Sequence, residues 1–67
     1  MIELVTMEQL QNCMLAKMKV QIWVGSEYDE TVILEVSNEI IKASNNFYYF
    51  RENCTIYVSG NYFRLVK

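Results

Sequence analysis

Few side chains in this chain are placed to do chemistry. Glu27, Asp29 and Glu30 set three carboxylates within four positions, the densest group of hard ligands in the sequence. The stretch lacks the ligand spacing and the turn glycine of a calcium loop, so it reads as a solvated acidic loop rather than a metal site. Cys13 and Cys54 stand 41 positions apart, and the 67 residues hold no further Cys and no His to complete a zinc site. The missing histidine also removes the commonest general base near neutral pH. The sequence has no glycine-rich phosphate loop, nucleophile elbow or dinucleotide fingerprint. A chain this short leaves little room for a concave pocket around a carboxylate pair. These features predict no enzyme activity, no cofactor, no resident metal and no small-molecule substrate.

Surface chemistry remains. Trp23 and the five tyrosines, Tyr28, Tyr48, Tyr49, Tyr57 and Tyr62, are many for 67 residues. Amphipathic rings of this kind anchor interfaces, although they also serve as ordinary cross-strand pairs within a sheet. The partner-binding set we expect is Trp23, Glu27, Tyr28, Asp29, Glu30, Tyr48, Tyr57 and Tyr62, an acidic and aromatic surface for a basic partner. Five of the eight acids (Glu27, Asp29, Glu30, Glu35 and Glu39) fall between Val20 and Ile41, a window with no Lys or Arg. Such a concentration favours fast, salt-sensitive association. The alternative is a stacking platform for single-stranded nucleic acid, RNA in particular, built from Lys17, Lys19, Trp23, Tyr49, Arg51 and Arg64. A net charge of −2 weighs against it.

The elements that must position these residues follow from the periodicity. Ile2 to Val5 is either a short edge strand or the approach to a helix. Thr6 and Gln9 form a capping box, and Val5 with Leu10 has the spacing of a hydrophobic staple. Met7, Leu10, Met14 and Met18 recur at helical spacing, which predicts a helix over 7–16. From Lys17 the period drops to two. Met18, Val20, Ile22 and Val24 face one way and Lys17, Lys19, Gln21 and Trp23 the other, giving a strand over 18–24. Residues 25–30 read as a loop too long for a tight hairpin. A second strand over 31–36 turns Val32, Leu34 and Val36 inward and Thr31, Ile33 and Glu35 outward. Ser37-Asn38 is a turn or bulge, and a strand over 39–43 follows. Ser44-Asn45-Asn46 is a tight turn, because Asn tolerates positive φ. Strands over 47–50 and 54–58 are joined by a short reversal at Arg51-Glu52-Asn53. The later of them turns Cys54, Ile56 and Val58 inward and Thr55 and Tyr57 outward. In FYYF, Phe47 with Tyr49 or Tyr48 with Phe50 must face the core. A sixth strand is expected over 62–66.

One helix followed by five or six short antiparallel strands makes a mainly β, single small domain, either a small barrel or a meander. The order of elements resembles that of SH3-like barrels, and of the Sm-like layout in particular, which implies a helix on strongly bent strands and assembly through strand edges. The resemblance is one of layout. The Gly- and Asp/Asn-bearing signatures through which Sm-like proteins contact RNA are not readable in ILEVSNEIIKA or FYYFRENCTIYVSG, and the chain is assigned to no family. The other arrangement compatible with these elements is an open α+β helix-on-sheet fold.

At about 0.05–0.15 kcal/mol per residue, stability should total ~3–10 kcal/mol. An apolar content of 52% is generous for this length and predicts a homo-oligomer or a second protein covering part of the surface. No apolar run reaches the ~18–20 residues of a membrane span. Two cysteines and no secretory leader read as a reducing, cytoplasmic setting with Cys13 and Cys54 as buried thiols. A disulfide between them, worth roughly 4 kcal/mol, is the other option. The function expected is a small self-associating interaction module, a regulator or inhibitor of the kind found among bacterial and phage accessory proteins, by analogy.

Overall fold

The capping box forms as its residues require. Gln9 N donates to Thr6 Oγ1 at 3.1 Å, and Thr6 N donates back to Gln9 Oε1 at 3.1 Å, so the first orphan donors of the helix are satisfied. Leu10 is buried while Val5 stays 61% exposed, and Val5 N also donates to Gln9 Oε1, at 2.8 Å. The computed structural model, which describes residues 1–59, gives β1 (Ile2–Glu3), α1 (Met7–Leu15), β2 (Lys19–Val24), β3 (Glu27–Val36), β4 (Ile40–Ala43), β5 (Tyr48–Phe50), a 3-10 turn (Arg51–Asn53) and β6 (Thr55–Val58). The expected strand over 62–66 lies outside the described residues, as do Tyr62 and Arg64.

Helix α1 ends in a paired C-terminal motif. Met18 N bonds Cys13 O and Lys17 N bonds Met14 O, each at 3.1 Å, with Lys17 at φ 54. The expected strand position for Lys17 is therefore corrected: it is the left-handed residue that reverses the chain out of the helix, not part of the β2 face. Glycine adopts that conformation without the Cβ clash. We expect Lys17→Gly to raise stability by about 0.5–1 kcal/mol, part of the relief being offset by the looser unfolded chain. The check is a higher urea midpoint at unchanged slope.

All six strands join one open antiparallel sheet in the order β1-β6-β2-β3-β4-β5, which does not close into a barrel. Its long strand is β3, whose first half pairs with β2 and whose second half pairs with β4. The expected 25–30 loop is overturned. Only Gly25 and Ser26 turn, with Gly25 at φ 64 as a two-residue hairpin of the II′ kind demands, and Glu27 already pairs with Val24. That register also reverses the expected faces of β3. Val20 is inward and lies opposite Thr31, so Thr31 and Ile33 point into the core. The Thr31 hydroxyl stays satisfied there by Ser44 Oγ at 3.0 Å. A bulge between Ile33 and Glu35 inserts Leu34 as an extra residue and restores parity, so that Val36 packs inward opposite Ile41.

The expected reversal between the FYYF and CTIYV strands is overturned as well. They do not pair with each other: β5 is the sheet edge beside β4, and the 3-10 turn carries the chain across to β6, which lies between β1 and β2. The Asn turn is as expected, with Asn46 at φ 71 and Asn45 Oδ1 accepting from Phe47 N at 3.0 Å. Val20, Ile22, Ile33, Ile41, Ala43, Ile56 and Val58 line the inner face of the sheet, and Leu10 and Cys13 of α1 lie buried in the same core.

Candidate docking face

Strand alternation in β2 and β6 and the cross-strand registers decide what the outer face of the sheet carries. Glu3, Tyr57, Gln21 and Glu30 stand opposite one another in turn across β1, β6, β2 and β3, which makes a row with a carboxylate at each end. The next row holds Thr55, Trp23 and Tyr28. Trp23 and Tyr28 stack with ring centroids 4.6 Å apart and planes 24° from parallel. The Trp23 Nε1–H donates to Gln21 Oε1 at 3.2 Å, which fixes the indole over the sheet. Met1, Gln21, Trp23 and Tyr57 line a shallow depression of about 330 Å³. Lys19 lies farther along the same face, opposite Val32.

Of the expected partner-binding set, Trp23, Tyr28, Glu30 and Tyr57 are brought together here. Glu27 and Asp29 are on the opposite face, because neighbouring strand positions alternate. Alternation also separates both from Glu30, and among the described residues no group of three His, Cys, Asp or Glu side chains converges as a metal site would. Asp29 instead accepts a hydrogen bond from Tyr49 Oη at 2.9 Å. Tyr48 is outward, but on β5 beyond the bulge, with Lys42 Nζ 5.7 Å from its ring centroid.

The expected nucleic-acid platform is not assembled among the described residues. Tyr49 points into the core, since its β4 partner Ile41 is inward. Arg51 Nη1 donates to the carbonyls of Ser37 at 3.0 Å and Asn38 at 3.4 Å, latching the β3–β4 turn. Lys17 sits in the turn after α1, so that of the set's described residues Lys19 and Trp23 alone share a face.

Sequence reasoning missed Glu3, Gln21 and Met1. None stands out by type: Gln21 shares the Trp23 side of β2 by alternation, Glu3 meets Tyr57 through the β1–β6 register, and Met1 lines the same depression. A second depression, about 340 Å³, lies between the β1–α1 junction and the 3-10 turn, with Glu3, Arg51 and Glu52 among its lining residues. Its cation is already committed to backbone carbonyls, so similar volume does not make it an equal candidate. Both cysteines are free, Cys13 buried and Cys54 half-buried. Burial pushes both thiols up from 9.0, with Arg51 pulling Cys54 the other way, so both are protonated and poorly nucleophilic near neutrality. Among the described residues no helix is long and apolar enough to cross a membrane. No protein-family model, curated protein or solved structure has significant similarity to the chain.

Proposed function

We propose that the chain is a small non-catalytic interaction module that docks a basic partner protein on the outer face of β2, β3 and β6. The observation that carries this reading is the stacked Trp23–Tyr28 pair beside a row that begins and ends in Glu3 and Glu30. Rigid aromatic area at the centre and carboxylates at the rim suit a patch of Arg or Lys with apolar stems. The bent β3 shared between two half-sheets also supports the SH3-like reading of the fold, with β1 added outside β6. Free thiols fit a reducing cytoplasmic setting.

Trp23 is the single tryptophan, so its fluorescence reports on this face directly. Arg- and Lys-rich peptides titrated at low salt should change that emission saturably, with an affinity that weakens as salt is raised. The paired substitution Glu3→Lys and Glu30→Lys is expected to weaken binding at least ~10-fold, the equivalent of about 1.4 kcal/mol. No response to any basic peptide would remove this reading. A response to short single-stranded RNA in place of peptides would put the nucleic-acid reading first, with Lys19 beside the stacked pair as its anchor.

A further inference from the structure

Strand β5 is an unguarded sheet edge. Among the described residues its one neighbour is β4. Phe47 O accepts from Ala43 N and Arg51 N donates to Glu39 O, so positions 47, 49 and 51 direct their backbone groups at β4. Tyr48, between them, directs its N–H and C=O at the open side, and Phe50 its N–H, while the Phe50 carbonyl, at the head of the 3-10 turn, accepts the first bond of that turn. No charged residue or proline guards the stretch 47–50, the usual devices that keep an exposed edge from pairing. Phe47, Tyr48 and Phe50 are 60%, 65% and 57% exposed.

We propose that this edge pairs with the same edge of a second copy, antiparallel, about a two-fold axis through Tyr49. The pattern is self-complementary. Tyr48 lies opposite Phe50 of the second copy and Phe50 opposite its Tyr48, and in each pair the Phe50 N–H donates to the Tyr48 carbonyl, while the Tyr48 N–H shares the Phe50 carbonyl with the 3-10 turn. On the outer face, Lys42, Tyr48, and then Phe50 and Ile40 of the second copy form one continuous row, because Lys42 pairs with Tyr48 and Ile40 with Phe50 within each chain. Aromatic cross-strand pairs of this kind are among the favourable ones in sheets. The area fits a second copy of modest affinity. With ~150–250 Å² per aromatic side chain, the three exposed rings offer on the order of 100 Å² each, hence ~600 Å² from two copies. Adding Ile40 and the backbone brings the total toward the ~1,000 Å² at which a specific interface begins. The other edge, β1, has two residues and offers far less.

This pairing rests on reading the chain as a self-associating interaction module but uses a surface separate from the Trp23 face, so the two fail independently. The test is sedimentation of the full chain over a concentration series, with Phe50→Pro as the decisive variant. Phe50 has φ −76, a value proline shares, and by strand alternation its N–H faces away from β4. The expected result is a monomer–dimer equilibrium for the parent chain and a dimer weakened at least ~10-fold in the variant, with circular dichroism unchanged. Tyr48→Lys, which places a charge at an exposed outward position, should do the same without touching the backbone. Oxidising a mixture of the Tyr48→Cys and Phe50→Cys chains should give a covalent dimer that neither gives alone. A parent chain monomeric to ~1 mM overturns the proposal, as does a dimer that survives both Phe50→Pro and Tyr48→Lys. Assemblies larger than two, or equal cross-linking in every mixture, overturn the two-fold register. A dimer abolished by Trp23→Ala and kept in Phe50→Pro assigns self-association to the other face.

Discussion

Replacing Ile33 with Ala is expected to cost about 2–5 kcal/mol, whereas replacing its neighbour Leu34 with Ala should change stability by less than about 0.5 kcal/mol. Ile33 is 1% exposed and lies opposite Ala43 on the inner face, where truncation leaves a cavity. Leu34 is 49% exposed at the bulge, and its loss removes little contact. A domain of this size holds only ~3–10 kcal/mol in total, so Ile33→Ala should unfold at much lower urea and leave a measurable unfolded fraction in buffer. Urea titration followed by Trp23 emission and by circular dichroism gives both midpoints. The reverse ranking would mean that Val32, Leu34 and Val36 face the core and that β3 is out of register by one residue.

That pair of substitutions sits where the sequence was hardest to read. Two phases compete in TVILEV: Val32, Leu34 and Val36 outnumber Thr31 and Ile33 as apolar residues, and composition favours the larger set. The choice is made elsewhere, by the Gly25–Ser26 turn that sets Val20 against Thr31 and by Ser44, which satisfies the buried hydroxyl. Both are non-local facts. The acids of EYDE had hidden the start of β3, since Asp and Glu are poor strand formers and a run of them resembles a loop. Paired with WVGS as a hairpin, the same residues are the exposed end of a long strand. Elements specified by their own neighbours were legible: the Thr6–Gln9 box, the alternation of β2 and of β6, and the Asn46 turn.

The docking face divides along the same line. Trp23 and Tyr57 could be placed outward because the strands carrying them alternate cleanly, each with a strictly apolar inner set. Gln21 sits beside Trp23 by the alternation of β2 itself, but Glu3 and Tyr57 join them only through pairings that link β1, β6 and β2, at separations of more than thirty positions between β2 and β6. The choice between the two aromatic pairs of FYYF was equally out of reach. All four positions hold rings, so hydrophobicity gives no preference, and the inward choice of Tyr49 follows from its pairing with Ile41. Its hydroxyl then finds two polar partners that a phenylalanine there would leave unused.

Tyr49→Phe is expected to cost about 1–2 kcal/mol at neutral pH, because it removes a hydrogen-bonded bridge between the two halves of the sheet. Tyr49 Oη donates to Asp29 Oδ2 and accepts from Asn45 Nδ2, each at 2.9 Å, linking β5 and the β4–β5 turn to the first half of β3. Asp29 is exposed and water replaces part of the lost contact, which keeps the cost below that of a wholly buried charged pair. The same substitution should change the alkaline limb of the stability curve. Burial holds the Tyr49 phenol above its ordinary 10.0, opposed by the Asn45 hydrogen bond and reinforced by Asp29. A group whose folded pKa is raised gives stability that is complete below the unfolded value and lost as pH climbs through the folded one. The parent chain should therefore lose its advantage over Tyr49→Phe as pH climbs above about 10, while the two curves run parallel below about pH 9. Cys13, raised from 9.0 by burial, adds an earlier alkaline loss common to both chains, which cancels in the difference, whereas the charge of an ionised Cys54 adds to the rise at Tyr49. Asp29→Asn keeps an acceptor for the phenol and should cost less than Tyr49→Phe at neutral pH. Urea midpoints for all three chains across this range make the comparison, and parallel curves to the highest pH would mean that the phenol ionises in the folded chain as freely as in water.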